Sequence, residues 1–257
     1  MWAVLLQEAY ITKRSVEVLF DLPVFSFMSV LVFGFISLFL SSVVSSTVAR
    51  YLFLGVLLWE IIRVAQYSMS IEALWNVWSR NLSNMFITPL TMLEYVLAQM
   101  IASAAKALLM FSALSLMAAL VFSFNVLAMG PGNLALFFLN LVFFAWSVGL
   151  AILGIIFRLG TRIQALAWGL VFLFQPLTAA YYPLSVLPPQ LQVVARAIPA
   201  TYVFEAARAS LASPGVQWRA MSIALFENVI YFGLAVLFFS FMYNRSRQTG
   251  QFARNEE

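Results

Sequence analysis

Residues 71–89 read IEALWNVWSRNLSNMFITP. Apolar side chains fall at Ile71, Leu74, Trp75, Trp78, Leu82, Met85 and Phe86. Spacings of three and four residues follow one face of a helix. Glu72, Asn76, Ser79, Arg80 and Ser83 take the other face. Strongly apolar runs lie on both sides. The stretch therefore predicts a short helix on the membrane surface between two spans, with Trp75 and Trp78 at headgroup depth. A plain amphipathic connector would read the same way. A helix pushed by a partner protein would move both adjoining spans.

Composition decides what surrounds this helix. The chain has 257 residues, of which 63% are hydrophobic and 9% charged. A soluble domain carries about 25% charge, so this chain has too little polar surface to face water. The expectation is one all-α, polytopic membrane domain over residues 1–257. With no His and no Cys, disulfides, thiol nucleophiles, zinc sites and a Ser–His dyad are excluded. Asp21 is the only Asp, which excludes an aspartyl dyad. Neither Lys13 nor Lys106 follows a glycine, so no phosphate-binding loop is present. The chain is expected to bind no cofactor of its own. Any nucleotide energy must come from another chain. The formal charge of +4 is spread in ones and twos. It reads as topology signals and not as a nucleic-acid surface.

Six spans are expected, within residues 22–44, 51–70, 91–124, 134–157, 163–182 and 220–243. Twenty helical residues cover roughly the 30 Å hydrocarbon core. Residues 1–20 read as an interfacial helix that feeds the first span. With both ends inside, Lys13, Arg14, Arg80, Arg158, Arg162, Arg245, Arg247 and Arg254 are cytoplasmic, against Arg50, Arg196, Arg208 and Arg219 outside. That excess obeys the positive-inside rule and puts residues 71–89 in the cytoplasm.

Residues 181–208 read YYPLSVLPPQLQVVARAIPATYVFEAAR. The stretch is too apolar for an ordinary outer loop and too broken by Pro183, Pro188, Pro189 and Pro199 for a span. Residues 187–197 and 201–211 are each expected to form a short helix that dips into the membrane and returns.

This region carries a family resemblance. The order Tyr182-Pro183-Leu184, Leu187-Pro188, Leu191-Gln192, Arg196, Ile198-Pro199-Ala200-Thr201-Tyr202 and Glu205-Ala206-Ala207-Arg208 resembles the permease subunits of ABC-2-type ATP-binding-cassette exporters. The stretch from Arg80 to Leu90, followed by Glu94-Tyr95, is similar to that family's loop between spans two and three. The polysaccharide-exporting members carry a Phe-Pro-Arg-like element where this chain has Ile87-Thr88-Pro89-Leu90, so that branch is not assigned.

The resemblance implies a half-transporter with no catalysis of its own, in the bacterial cytoplasmic membrane with both termini inside. It implies pairing with a second permease copy and binding of a separate ATPase subunit that holds ATP and magnesium. Residues 71–89 would be the coupling helix, meeting the ATPase through Glu72, Asn76, Ser79, Arg80, Asn81 and Ser83. Residues 183–211 would be outer re-entrant helices, with Tyr182, Pro183, Pro199, Tyr202, Glu205 and Arg208 at the outer gate. The cargo would be a lipid, a lipid-linked polysaccharide or a drug.

Charged residues inside spans are costly unless paired. Glu60 and Arg63 are three apart on one helix and are expected to pair, lining the path or the dimer seam, or simply satisfying each other. Lys106 is expected to face Glu94 or an interior carbonyl, or to snorkel inward. Two rival functions remain at this point. One is an ion- or proton-coupled carrier using Glu60, Glu94 or Glu205. The other is a membrane scaffold that transports nothing.

Overall fold

The computed structural model describes residues 1–14, 16–79, 88–213 and 215–249, and no strand occurs among them. The first apolar run gives two helices, α1 (Trp2–Arg14) and α2 (Val16–Val43). The expected interfacial helix is thus shorter than residues 1–20, because its last residues already belong to α2.

Helix α3 covers Ser46–Trp78. Ser45 caps it by accepting a hydrogen bond from the Thr47 N–H at 3.2 Å. From residue 46 to 78 there is no proline and a single glycine, Gly55, so nothing stops the helix. It runs straight through Ser70, where the sequence reading ended a span and began a separate surface helix. Residues 71–78 are therefore the last turns of α3. The remainder of the expected coupling helix, residues 80–87, lies outside the described residues.

Thr91 and Glu94 cap α4 (Met92–Phe122) reciprocally: the Thr91 hydroxyl accepts from the Glu94 N–H, and the Glu94 carboxylate accepts from the Thr91 N–H. Proline at the first position opens α5 (Pro131–Leu159), α7 (Pro189–Arg196) and α8 (Pro199–Ala212), where its missing N–H has no partner to lose. Between α5 and α7 lies α6 (Gln164–Phe174), and the chain closes with α9 (Trp218–Gln248).

Among the described residues four helices are long and apolar enough to cross a membrane: Phe20–Val43 within α2, then α4, α5 and α9. These mark the chain as an integral membrane protein. The other two expected spans differ. Helix α3 has the length, but it carries Glu60, Arg63, Gln66 and Glu72 and is not among those four. The expected fifth span does not form one helix. Eleven-residue α6 is about 16 Å long, roughly half of the hydrocarbon core. The cause is Pro176, which has no N–H to donate and whose ring clashes with the carbonyl four residues earlier. The chain turns through residues 175–183 instead.

Helix α3 is the central one. Helices α2, α4, α5 and α6 pack around α3, and α9 packs on α5 and α8. Most of α3 is buried, including Trp59, Ile62, Val64, Ala65 and Leu74. The outer faces of α2 and α9 show Phe35, Phe39, Phe226 and Phe241. Apolar rings thus cover the outside of the bundle, and the charged residues of α3 lie inside it.

Candidate functional site

Two cavities lie side by side between α2, α3 and α6. One is about 400 Å³ and extends from the junction toward Trp59, Glu60 and Tyr181. The other is about 830 Å³ and extends toward Ile71, Trp75 and Trp78. Asp21, Phe25, Tyr67 and Trp168 line both, so they form one groove with a shared waist. Along α3 the lining runs from Trp59 to Trp78, about 28 Å of helix, nearly the thickness of a hydrocarbon core.

Polar groups interrupt this aromatic wall at two levels. Arg63 Nε donates to Glu60 Oε2 at 2.9 Å, and Nη2 donates to the same oxygen and to Ser26 Oγ on α2. Arg63 is slightly more open than Glu60, with side-chain exposures of 12% and 3%. The expected pair therefore forms, and it lines the groove. At the waist the Tyr67 hydroxyl donates to Asp21 Oδ2. Sequence reasoning missed this second level, although Asp21 stands out as the sole Asp at the start of an apolar run.

Of the expected gate residues, Glu205 and Arg208 meet the turn that carries Tyr181, which lines one end of the groove. Arg208 is buried on α8, with 4% of its surface exposed. It donates to Glu205 Oε1 at 2.5 Å, to Ala179 O at 2.9 Å and to Ala180 O at 3.2 Å. The same Glu205 oxygen accepts from the Leu184 N–H at 3.0 Å. The pair is thus more than a helix-surface contact, because it ties the turn at 179–184 to α8. That turn presses on α3 at Gly55, where an added Cβ would sit 2.0 Å from Ala180 O. Only a residue without a side chain lets the turn approach so closely. The turn also carries Tyr181, which packs on Phe33 of α2 with ring centroids 5.3 Å apart.

Tyr182 donates to Pro176 O at 2.6 Å, and Tyr202 donates to Arg196 O at 2.9 Å. Burial pushes both phenols above their ordinary range. Pro183 precedes a short 3-10 turn, Leu184–Val186, and Pro199 starts α8.

The coupling set fares differently. Ser79 is exposed at the end of α3, but Glu72 and Asn76 are buried, at 3% and 2%. The reading that placed them on a free polar face is corrected: α1 and α4 cover that face. Lys106 on α4 donates to Glu72 Oε1 and lies 3.9 Å from Glu8 Oε2 on α1. Gln99 donates to Glu8 Oε1 at 2.9 Å, and Asn76 donates to the Tyr95 hydroxyl at 3.4 Å. Lys106 therefore faces Glu72 and Glu8, not Glu94, which caps α4. Arg80, Asn81 and Ser83 lie outside the described residues, as does Arg254. No cluster of metal-ligating side chains occurs among the described residues.

Neither a family model nor a curated protein sequence matches this chain.

Proposed function

We propose that this chain is the membrane-spanning permease subunit of an ATP-driven exporter of the ABC-2 type, with the groove between α2, α3 and α6 as its half of the translocation path. The groove itself carries this reading. It is aromatic, it holds polar side chains at two levels, and it extends along α3 for nearly the length of a hydrocarbon core. Phe25, Trp168 and Phe172, which line it, are exposed in the single chain, as the wall of a half-path completed by a second copy would be. The Arg208–Glu205 knot and the Tyr181 turn then close its outer end. With no phosphate-binding loop in the sequence, energy comes from a separate ATPase. Ser79 and the residues that follow it are the contact region for that ATPase. Glu72 and Asn76 act behind them, joining α3 to α1 so that a push on either moves the central helix.

The carrier alternative draws no support from its three carboxylates. Glu60 and Glu205 are each held by an arginine, and Glu94 caps α4. The test is purification from native membranes through a tag on this chain. The expected complex contains two copies of the chain and a nucleotide-binding ATPase whose turnover the chain alters. A transport-competent membrane that yields only the monomer, with no nucleotide-binding partner, would overturn the proposal.

A further inference from the structure

The groove's charge and wall chemistry say what it would hold. Its charged lining residues are Asp21, Glu60 and Arg63. Glu60 already matches the charge of Arg63 through two hydrogen bonds to one oxygen. Asp21 has no such match: its bond is to a neutral phenol, and no cation pairs with it among the described residues. Among the described residues the groove therefore carries one carboxylate more than it has cations. That carboxylate stands at the waist, where both cavities meet and where Phe25, Tyr67 and Trp168 also converge.

Aromatic faces around a single carboxylate suit an organic cation. Ring faces are electron-rich and attract a diffuse positive charge, and a low-dielectric wall strengthens the carboxylate's pull. An anionic headgroup would meet no unmatched cation there and would be repelled by Asp21. A cavity near 400 Å³ accepts a drug-sized molecule, and its neighbour offers room for an apolar tail.

We infer that the waist at Asp21 is a binding site for amphipathic organic cations, with the Asp21 carboxylate against the charge and the rings of Phe25, Tyr67 and Trp168 around it. This deepens the permease reading by naming its cargo class, and it rests on that reading only for the word cargo.

Two probes of nearly the same size and shape separate charge from hydrophobicity: tetraphenylphosphonium and tetraphenylborate. Binding to the purified full chain in detergent is followed by tryptophan fluorescence, with no ATPase or nucleotide present. The cation is expected to bind saturably and the borate at least tenfold more weakly. Asp21→Asn keeps an acceptor for Tyr67, so folding should survive. It is expected to weaken the cation by about tenfold and narrow its gap from the borate, as loss of one partly desolvated charge contact does. Asp21→Glu should restore the preference for the cation.

Equal binding of the two probes would overturn the inference, as would unchanged cation affinity in a folded Asp21→Asn protein. The two proposals fail separately. Cation binding by a chain that never associates with an ATPase removes the permease and leaves the site. An ATPase-coupled chain with no charge preference removes the site and leaves the permease.

Discussion

Arg208→Gln and Glu205→Gln cut the same ion pair but should differ in cost. Arg208 is buried and serves three acceptors: the Glu205 carboxylate and the carbonyls of Ala179 and Ala180. Its replacement takes the guanidinium from two carbonyls and leaves the Glu205 oxygen only the Leu184 N–H. A lost hydrogen bond from a charged donor costs about 1.5–3 kcal/mol. Glu205 has a side chain 42% exposed, so water recovers much of its share. The two carbonyls dominate, and about 3 kcal/mol is expected for Arg208→Gln. In Glu205→Gln the amide oxygen still accepts from Leu184, and Arg208 keeps both carbonyls. About 1 kcal/mol is expected there.

For a membrane protein the practical readout is the apparent melting temperature of the detergent-solubilised chain, taken with export in cells. Arg208→Gln should lower both sharply. Glu205→Gln should change melting little, and any export defect it shows then reports on gating rather than on folding. Equal melting shifts for the two variants would refute the claim that Arg208 holds the 179–184 turn through its carbonyls. An Arg208→Gln protein as stable as the parent would refute it as well.

Three further outcomes follow from the same geometry. Gly55→Ala puts a methyl group 2.0 Å from Ala180 O, so the turn must lift off α3; proteolysis at residues 176–184 should accelerate while α4 and α5 stay protected. Lys106→Met leaves the buried carboxylates of Glu8 and Glu72 facing each other, at a cost of about 3–5 kcal/mol for an uncompensated buried charge, and α1 should become accessible to protease. Ser79→Trp alters an exposed position and should leave the yield of folded protein unchanged while weakening ATPase co-purification, whereas Glu72→Gln should lower the yield first.

Much of the fold was legible because lipid-facing helices have a plain signature. Helices α2, α4, α5 and α9 are long apolar runs, and the proline-bounded α7 and α8 fell close to their expected places. The central helix was harder. Several of its polar residues meet neighbours distant in sequence: Glu72 meets Lys106, Arg63 meets Ser26 and Tyr67 meets Asp21. Periodicity in residues 71–78 showed two faces correctly but could not say that α1 and α4 cover the polar one. Two signals were present and underused. Pro176 marks where α6 must stop, and the absence of any breaker between Ser46 and Trp78 marks α3 as one helix. The groove was not legible, since its waist joins residues 21, 25, 67 and 168 from three helices.

If the groove is the path, its exposure follows the nucleotide state of a partner ATPase. The chain contains no cysteine, so a single cysteine reports from one place only. Ser29 lines the groove on α2, and Ser29→Cys adds little bulk. In membranes holding the chain with its ATPase, a water-soluble thiol reagent should modify this cysteine. The rate should change several-fold between the nucleotide-free state and a state trapped with ATP. A cysteine at Phe39, exposed on α2 but outside the groove, should show no such change. If the Ser29→Cys protein is unreactive, or reacts at one rate whatever the nucleotide, the groove is not the path.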